Sequence, residues 1–163
     1  MVSTIRLATD NDKEQVINIL NYYIETSMAA YPLSPLPYQA WDGLRSLCRD
    51  GNMWVAEIEE QGVVGFAMLK WFMGRDSFAH TAETGYFILP QFTGMGLGRS
   101  LLTALEQAAT RLGITVLVAN ISSHNPESLA FHERMGFAEC GRMPSVGKKK
   151  DRFFDVIWVY KNI

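Results

Sequence analysis

Apolar residues along the chain switch between a period of two and a period near 3.6, and the switches mark out strands and helices in turn. Ile5-Arg6-Leu7-Ala8 reads as a short first strand. Val16, Ile19, Leu20 and Tyr23 then fall at helical spacing, which predicts a helix with one apolar face. Thr9 or Asp10 can cap it by accepting a bond from a free backbone N–H. A loop with Pro32, Pro35 and Pro37 follows, then a helix from Tyr38 to Arg49 with Trp41, Leu44 and Leu47 or Cys48 turned inward. The middle of the chain is strand-rich: Met53 to Glu59, a turn at Gln61-Gly62, Val63 to Phe72, and Thr81 to Leu89. A glycine-rich turn over residues 90–98 leads into a helix from Leu97 to Leu112, with Leu101, Leu102, Leu105 and Ala109 on one face. Thr115 to Asn120 is β-branched and apolar, as a buried strand is. Asn125 can cap a helix from Pro126 to Met135, whose first position tolerates proline because the N–H there has no intrahelical partner. Two further strands close the chain, Ala138 to Met143 and Arg152 to Tyr160. This alternation predicts an α/β domain built around a mixed sheet.

Length and composition narrow the function classes. The 163 residues suit one domain over 1–163, with no linker or repeat. Hydrophobic residues make up 48% and charged residues 20%, a globular balance. With a net charge of −2 there is no excess of Lys and Arg to neutralise a phosphate backbone, so nucleic acid is not the expected partner. The one basic run, Lys148-Lys149-Lys150, is interrupted at once by Asp151 and reads as a solvated turn. Cys48 and Cys140 make neither a disulfide framework nor a four-ligand zinc site, which points to a reducing, cytoplasmic setting. The start, Met1-Val2-Ser3-Thr4-Ile5-Arg6, has no apolar signal region, and no apolar run reaches the ~20 residues of a membrane helix. His80, His124 and His132 have no ligand spacing with acids or cysteines, so no metal is expected.

The candidate chemistry lies in Glu83-Thr84-Gly85-Tyr86-Phe87-Ile88-Leu89-Pro90-Gln91-Phe92-Thr93-Gly94-Met95-Gly96-Leu97-Gly98-Arg99. A strand enters a turn carrying Gly94, Gly96 and Gly98, and a helix leaves it. Glycine lets a ligand approach the backbone, and the first N–H groups of the helix point outward at the positive end of its dipole. Such a turn suits a diphosphate. A P-loop would need Gly-Lys-Ser/Thr, which is absent. The dinucleotide fingerprint would need glycine at Arg99 or Leu101, and an acid where Val118-Ala119-Asn120 stands. A tight strand-to-helix turn without a ligand is the other reading.

Gln91-x-x-Gly94-x-Gly96 resembles the acyl-CoA pyrophosphate signature of the GNAT N-acetyltransferases, Q/R-x-x-G-x-G/A. Asn125-Pro126-Glu127-Ser128-Leu129-Ala130-Phe131-His132-Glu133-Arg134-Met135-Gly136-Phe137 resembles the family's later motif, an Asn before a helix that ends in Gly-Phe. Within the family the chain is most similar to the phosphinothricin-acetyltransferase branch. Asn21-Tyr22-Tyr23-Ile24-Glu25-Thr26-Ser27 resembles the end of that branch's first helix, and Arg75-x-x-Phe78-x-x-Thr81-x-Glu83 its Arg-x-x-Tyr-x-x-Thr-x-Glu. His132-Glu133 and Val146-Gly147 followed by Arg152-x-x-Asp155 are similar to it too. Lys148, Lys150, Asp151, Phe153 and Gly94 depart from the branch.

The resemblance implies a three-layer α/β (α+β) fold, with a central mixed, mostly antiparallel sheet of about seven strands flanked by about four helices. It implies acetyl-CoA as cofactor, a small-molecule amine as acceptor, and a homodimer. Phosphinothricin, methionine sulfoximine and methionine sulfone are the implied acceptors; a polyamine, an aminoglycoside or a protein N-terminus is the alternative, as is a catalytically silent acyl-CoA-binding module. Phe87, Ile88, Leu89, Gln91, Phe92, Thr93, Gly94, Met95, Gly96, Leu97, Gly98 and Arg99 are the expected cofactor contacts on the first motif. Asn125, Ser128, Phe131 and His132 are those on the second. An alkylammonium has a pKa of ~10 and an α-amino group in a peptide ~8, so a proton must leave before the amine attacks a thioester. Glu83 is the expected base, unless it serves only in an ion pair with an Arg. A backbone N–H around Ile88 or Leu89 would meet the charge on the carbonyl oxygen. His132 either protonates the leaving thiolate or contacts the pantetheine arm. Arg75 can grip an acidic group of the acceptor, with Met28, Tyr31, Trp71, Phe72 and Phe78 as candidate pocket walls.

Overall fold

The computed structural model describes residues 2–163. The strands are β1 (Ser3–Leu7), β2 (Cys48–Ile58), β3 (Gly62–Trp71), β4 (Thr81–Ile88), β5 (Val116–Ser122), β6 (Ala138–Lys149) and β7 (Arg152–Asn162). The helices are α1 (Lys13–Thr26), α2 (Trp41–Ser46), α3 (Leu97–Arg111) and α4 (Pro126–Arg134). The strands form one sheet in the order β1-β2-β3-β4-β5-β7-β6. Every neighbouring pair is antiparallel except β4 and β5, which run parallel. This is the mixed, mostly antiparallel seven-stranded sheet with four helices that the family resemblance implied.

Alternation along the strands sorts the core into two layers. Leu101, Leu102, Leu105 and Ala109 of α3 pack on Ala82, Leu117 and Ile157, and Leu129 and Phe131 of α4 lie against the same cluster. On the opposite face Val16, Ile19, Leu20 and Ile24 of α1 pack on Val55, Phe66 and Met68, together with Trp41 of α2. In β4 the even-numbered Ala82, Tyr86 and Ile88 belong to the α3 side, and Phe87 to the α1 side.

Two elements differ from the sequence reading. The second helix ends at Ser46, and Cys48 and Arg49 already belong to β2. Asp50 and Gly51 have φ of 49° and 72°, and this left-handed pair bulges the strand where the apolar spacing imitates a helix. Strand β6 runs six residues beyond Met143, to Lys149, past an irregularity at Ser145 (φ 52°). Its edge position explains why no apolar alternation announces it: most of it is exposed, although Lys149, read from the sequence as part of a solvated turn, is buried and donates to the Ala30 carbonyl at 2.7 Å.

The parallel pair creates the site. β4 and β5 are in register only over Thr81–Glu83 and Val116–Val118. Beyond that point each strand continues, to Ile88 and to Ser122, without pairing with the other. A wedge therefore opens through the sheet.

Candidate active site

A cavity of about 1160 Å³ occupies this wedge, larger than one drug-sized ligand fills. The facing walls are Glu83 to Ile88 of β4 and Ala119 to Ser122 of β5. The glycine turn and α4 line the end where β4 stops, and Tyr23 of α1 reaches that same end at the Ile88 carbonyl. The loop residues Ala29 to Pro32 also line the cavity, with Tyr31 close enough to Glu83 to feel its charge.

The turn fits a diphosphate. Gly94 and Gly96 have φ of 75° and 82°, which side chains rarely adopt. A β-carbon built on either would meet no atom within 4 Å, so the space above the turn is open. Gly96 sits at the N-cap of α3, no side chain caps the helix, and its first N–H groups are left for a ligand. Gly98 has a different task. A β-carbon there would lie 3.1 Å from the Phe131 ring, so this glycine lets α3 and α4 approach closely. On α4, Asn125 accepts the Ser128 N–H at 3.2 Å and acts as the expected cap.

Backbone polarity in the wedge follows from the β3–β4 ladder. Leu89 donates its N–H to Val64 O at 2.9 Å, so it is already engaged. Hydrogen-bonded pairs alternate along an antiparallel ladder, so Ile88 (opposite Gly65) and Tyr86 (opposite Ala67) turn their N–H groups away from β3 and into the wedge. The Ile88 carbonyl accepts the Tyr23 hydroxyl. At ~3.3 Å per residue, Tyr86 lies about 10 Å along the strand from Glu83, and Ile88 about 16 Å.

Glu83 sits at the fork of the wedge, on the α1 side. Its cross-strand partner is Lys70 of β3. Lys70 Nζ lies 2.6 Å from Glu83 Oε1, and Asn120 Nδ2 donates to the same oxygen at 2.7 Å. Both donors use Oε1, which fixes the carboxylate, and Glu83 lines the cavity with no recorded hydrogen bond at Oε2 among the described residues. The partner is thus a lysine where an arginine was considered. Tyr31 stands nearby; burial, with a contribution from the Glu83 charge, pushes its hydroxyl up to about 12. Its ring stacks on Phe154 with centroids 5.4 Å apart.

His132 is buried, with its ring boxed by Tyr86, Phe131 and Phe137 at centroid distances of 5.0–5.4 Å. Nδ1 lies 2.7 Å from the Ser128 carbonyl oxygen, which can only accept. The ring proton therefore belongs on Nδ1, and Nε2 presents a lone pair with no protein partner. Burial holds the imidazole below its usual range, against a smaller opposing effect of the Ser128 bond. A neutral ring in this tautomer accepts a hydrogen bond and has no proton at Nε2 to give.

Of the residues singled out in the sequence, the wedge gathers Glu83, Phe87, Ile88, Phe92, Thr93, Gly94, Gly96, Leu97, Gly98, Arg99, Asn125, Ser128, Phe131 and His132 around one cavity. Leu89 turns to the α1 core, and Gln91 and Met95 are exposed beside the turn. Arg75 and Phe78 lie outside the cavity. Arg75 is exposed in the β3–β4 loop, and Phe78 packs edge-on against Phe72, which in turn meets Trp158. Trp71 is half exposed beneath Arg49, and Met28 packs with Phe154 and Val156, so of the proposed pocket walls only Tyr31 lines it. Lys70, Asn120 and Tyr23 were missed. Lys70 did leave a signal: it is the lone charge in the apolar run Val63 to Trp71. Among the described residues no helix is long and apolar enough to cross a membrane.

Comparison with known proteins gives the same picture. The family model described as the acetyltransferase (GNAT) family matches residues 16–137. An L-methionine sulfoximine/L-methionine sulfone acetyltransferase of Salmonella typhimurium is 33% identical over 160 residues, covering 96% of this chain and 92% of its own. The structure of a phosphinothricin acetyltransferase from Sinorhizobium meliloti in complex with acetyl-CoA superposes with a TM-score of 0.91 at 26% identity, covering 100% of this chain and 89% of that one. A ribosomal-protein-alanine N-acetyltransferase from Brucella melitensis superposes with a TM-score of 0.89 at 33% identity, covering 98% and 99%.

Proposed function

Because the chain belongs to the GNAT family of acetyltransferases, we propose that it acetylates the amino group of a small amino-acid-like acceptor, of the methionine sulfone, methionine sulfoximine or phosphinothricin type, with Glu83 as general base. The observation that carries this reading is the position of Glu83: a carboxylate fixed through one oxygen, lining the cavity, on the strand that leads to the glycine turn.

Acetyl-CoA supplies an acetyl group activated as a thioester. The open N–H groups at the start of α3 and the turn at Gly94 and Gly96 would hold its diphosphate. The wedge-facing groups of β4 would hold the pantetheine arm, and Asn125, Ser128 and Phe131 of α4 would line it. Glu83 Oε2 takes the proton from the acceptor ammonium, directly or through one water. The Tyr86 N–H is the donor that meets the developing negative oxygen, because it is the wedge-facing amide closer to Glu83. Ile88, farther along, is left to bind. His132 supports the cofactor arm by accepting a hydrogen bond at Nε2. A departing thiolate with a pKa near ~8.5 does not need an acid.

A homodimer acting in the cytoplasm is part of the same proposal, the first point testable by sedimentation. The reaction itself is tested by thiol release from acetyl-CoA across methionine sulfone, methionine sulfoximine, phosphinothricin, common amino acids, polyamines and short peptides. Turnover led by the first three supports the reading. Turnover confined to peptides, as the name of the Brucella relative would suggest, keeps the chemistry and replaces the acceptor.

A further inference from the structure

At the acceptor end of the cavity a cation stands beside the base. Lys70 arises from an otherwise apolar strand, and its ammonium meets Glu83 Oε1 at 2.6 Å. The stem passes over Gly85: a β-carbon there would stand 3.8 Å from Lys70 Cε and 4.0 Å from Nζ. That is ordinary contact, so Lys70 lies close over Gly85, and both residues line the cavity. Lys70 has three donors, and its recorded protein acceptor among the described residues is Glu83 alone. The other charged groups on the cavity wall, Arg99, Glu127 and Arg134, belong to the first turn of α3 and to α4, at the cofactor end. Arg75, the cation that the sequence suggested for the acceptor, lies outside.

We propose that Lys70 and Glu83 form a receptor for the zwitterionic head of an α-amino acid, with Glu83 taking the ammonium and Lys70 the carboxylate. The idea rests on the reading of this cavity as an amine-acetylation site and makes Lys70 its specificity-determining residue.

The geometry is complementary in both charge and spacing. In an α-amino acid the ammonium and the carboxylate sit on one carbon, as neighbours of opposite sign. Lys70 and Glu83 are also neighbours of opposite sign, in register across two strands. Laid head to tail, the two pairs place the substrate nitrogen at Glu83 Oε2 and a substrate oxygen at Lys70 Nζ. Asn120 holds Oε1 from the far side, so the carboxylate does not turn away when the substrate arrives. A polyamine brings only positive charge against Lys70. A peptide N-terminus brings a neutral carbonyl in place of the carboxylate and gains no ion pair. The receptor therefore favours free amino acids by attraction and disfavours oligoamines by repulsion.

The experiment compares methionine sulfone with its own carboxamide as acceptors at saturating acetyl-CoA. In the wild type kcat/KM should favour the free acid by roughly 10- to 100-fold, the range for a charge-assisted hydrogen bond. In Lys70→Met the ratio of acid to carboxamide should fall to near one, with the loss on the acid mostly in KM. Lys70→Arg should restore part of the preference. Melting temperature and acetyl-CoA affinity serve as checks on folding, and Lys70→Gln replaces Lys70→Met if that variant does not fold. Equal use of acid and carboxamide by the wild type would overturn the proposal and leave the acetyltransferase reading standing. So would a variant that loses the same factor on both acceptors, because Lys70 would then only position Glu83. A wild type inactive on both would remove the acetylation reading itself, and this inference with it.

Discussion

Gly147 lies opposite Phe154 in the β6–β7 ladder, and the aromatic ring covers the space where a side chain would stand. A β-carbon built on Gly147 would fall 2.1 Å from Phe154 Cζ and 2.3 Å from Cε2. The backbone of Gly147 is not left-handed, so the whole cost of Gly147→Ala is steric. Phe154 cannot simply move aside: it is buried, packs with Met28 and Val156, and stacks on Tyr31 at the acceptor end of the cavity. Overpacking of this kind costs about 1–3 kcal/mol. For a domain of this length that lowers the melting temperature by about 2–12 °C. The displaced ring should carry Tyr31 with it, so KM for the acceptor should rise. The glycine turn at the other end of the wedge is untouched, so acetyl-CoA affinity should hold. Thermal melts, acceptor kinetics and an acetyl-CoA titration read the three quantities. A variant with wild-type melting temperature and wild-type acceptor KM would refute the reasoning. So would one that loses acetyl-CoA affinity and keeps acceptor KM.

Other consequences follow from the same geometry. Asn125→Ala removes the cap of α4 and should cost about 1 kcal/mol, seen as a melting temperature about 2–4 °C lower. His132→Phe should keep kcat within about tenfold, because no acid is lost; a fall of ~10²–10⁴ would instead mark a proton donor. The same residue gives a pH test. Its folded-state pKa lies below the ordinary 6.5, so as the medium is acidified the unfolded chain takes the proton first. The stability that the neutral ring contributes is present above about 6.5 and is lost as pH falls through the folded value. The drop in melting temperature between pH 7.5 and 5.5, about one unit to either side of that value, should therefore be smaller in His132→Phe than in the wild type.

Much of the fold was legible because its signals are local. Leu101, Leu102, Leu105 and Ala109 announce α3, Asn125-Pro126 the start of α4, and Gly94 and Gly96 the turn before α3. Cys48 and Arg49 were misplaced because helical spacing from Trp41 runs on into a strand whose bulge depends on the left-handed Asp50-Gly51 pair. The missing half of β6 belongs to an edge that is mostly exposed, and the positions that do turn inward there are Gly147 and Lys149, which carry no apolar signal. Family resemblance located Glu83 and the glycine turn. It was silent on Lys70 and Asn120, which act through cross-strand register. Lys70 comes beside Glu83 only because Gly62–Trp71 and Thr81–Ile88 pair as they do, and Asn120 only because β5 joins in parallel. The three glycines looked equivalent in sequence, yet Gly94 and Gly96 serve the turn and Gly98 serves the contact with Phe131.

The most direct measurement compares the wild type with Glu83→Gln for thiol release from acetyl-CoA, with methionine sulfone as acceptor, from roughly pH 7 to pH 9, a span over which the free fraction of an α-amino group rises steeply. Glutamine can still accept from Lys70 and Asn120, so the site keeps its shape while the base is gone. The account predicts an active wild type and a fall in kcat of about 10²–10⁴ at neutral pH. It predicts unchanged acetyl-CoA affinity, and a gap that narrows as pH rises and more of the amine is already free. Equal rates in the two proteins at neutral pH would contradict it.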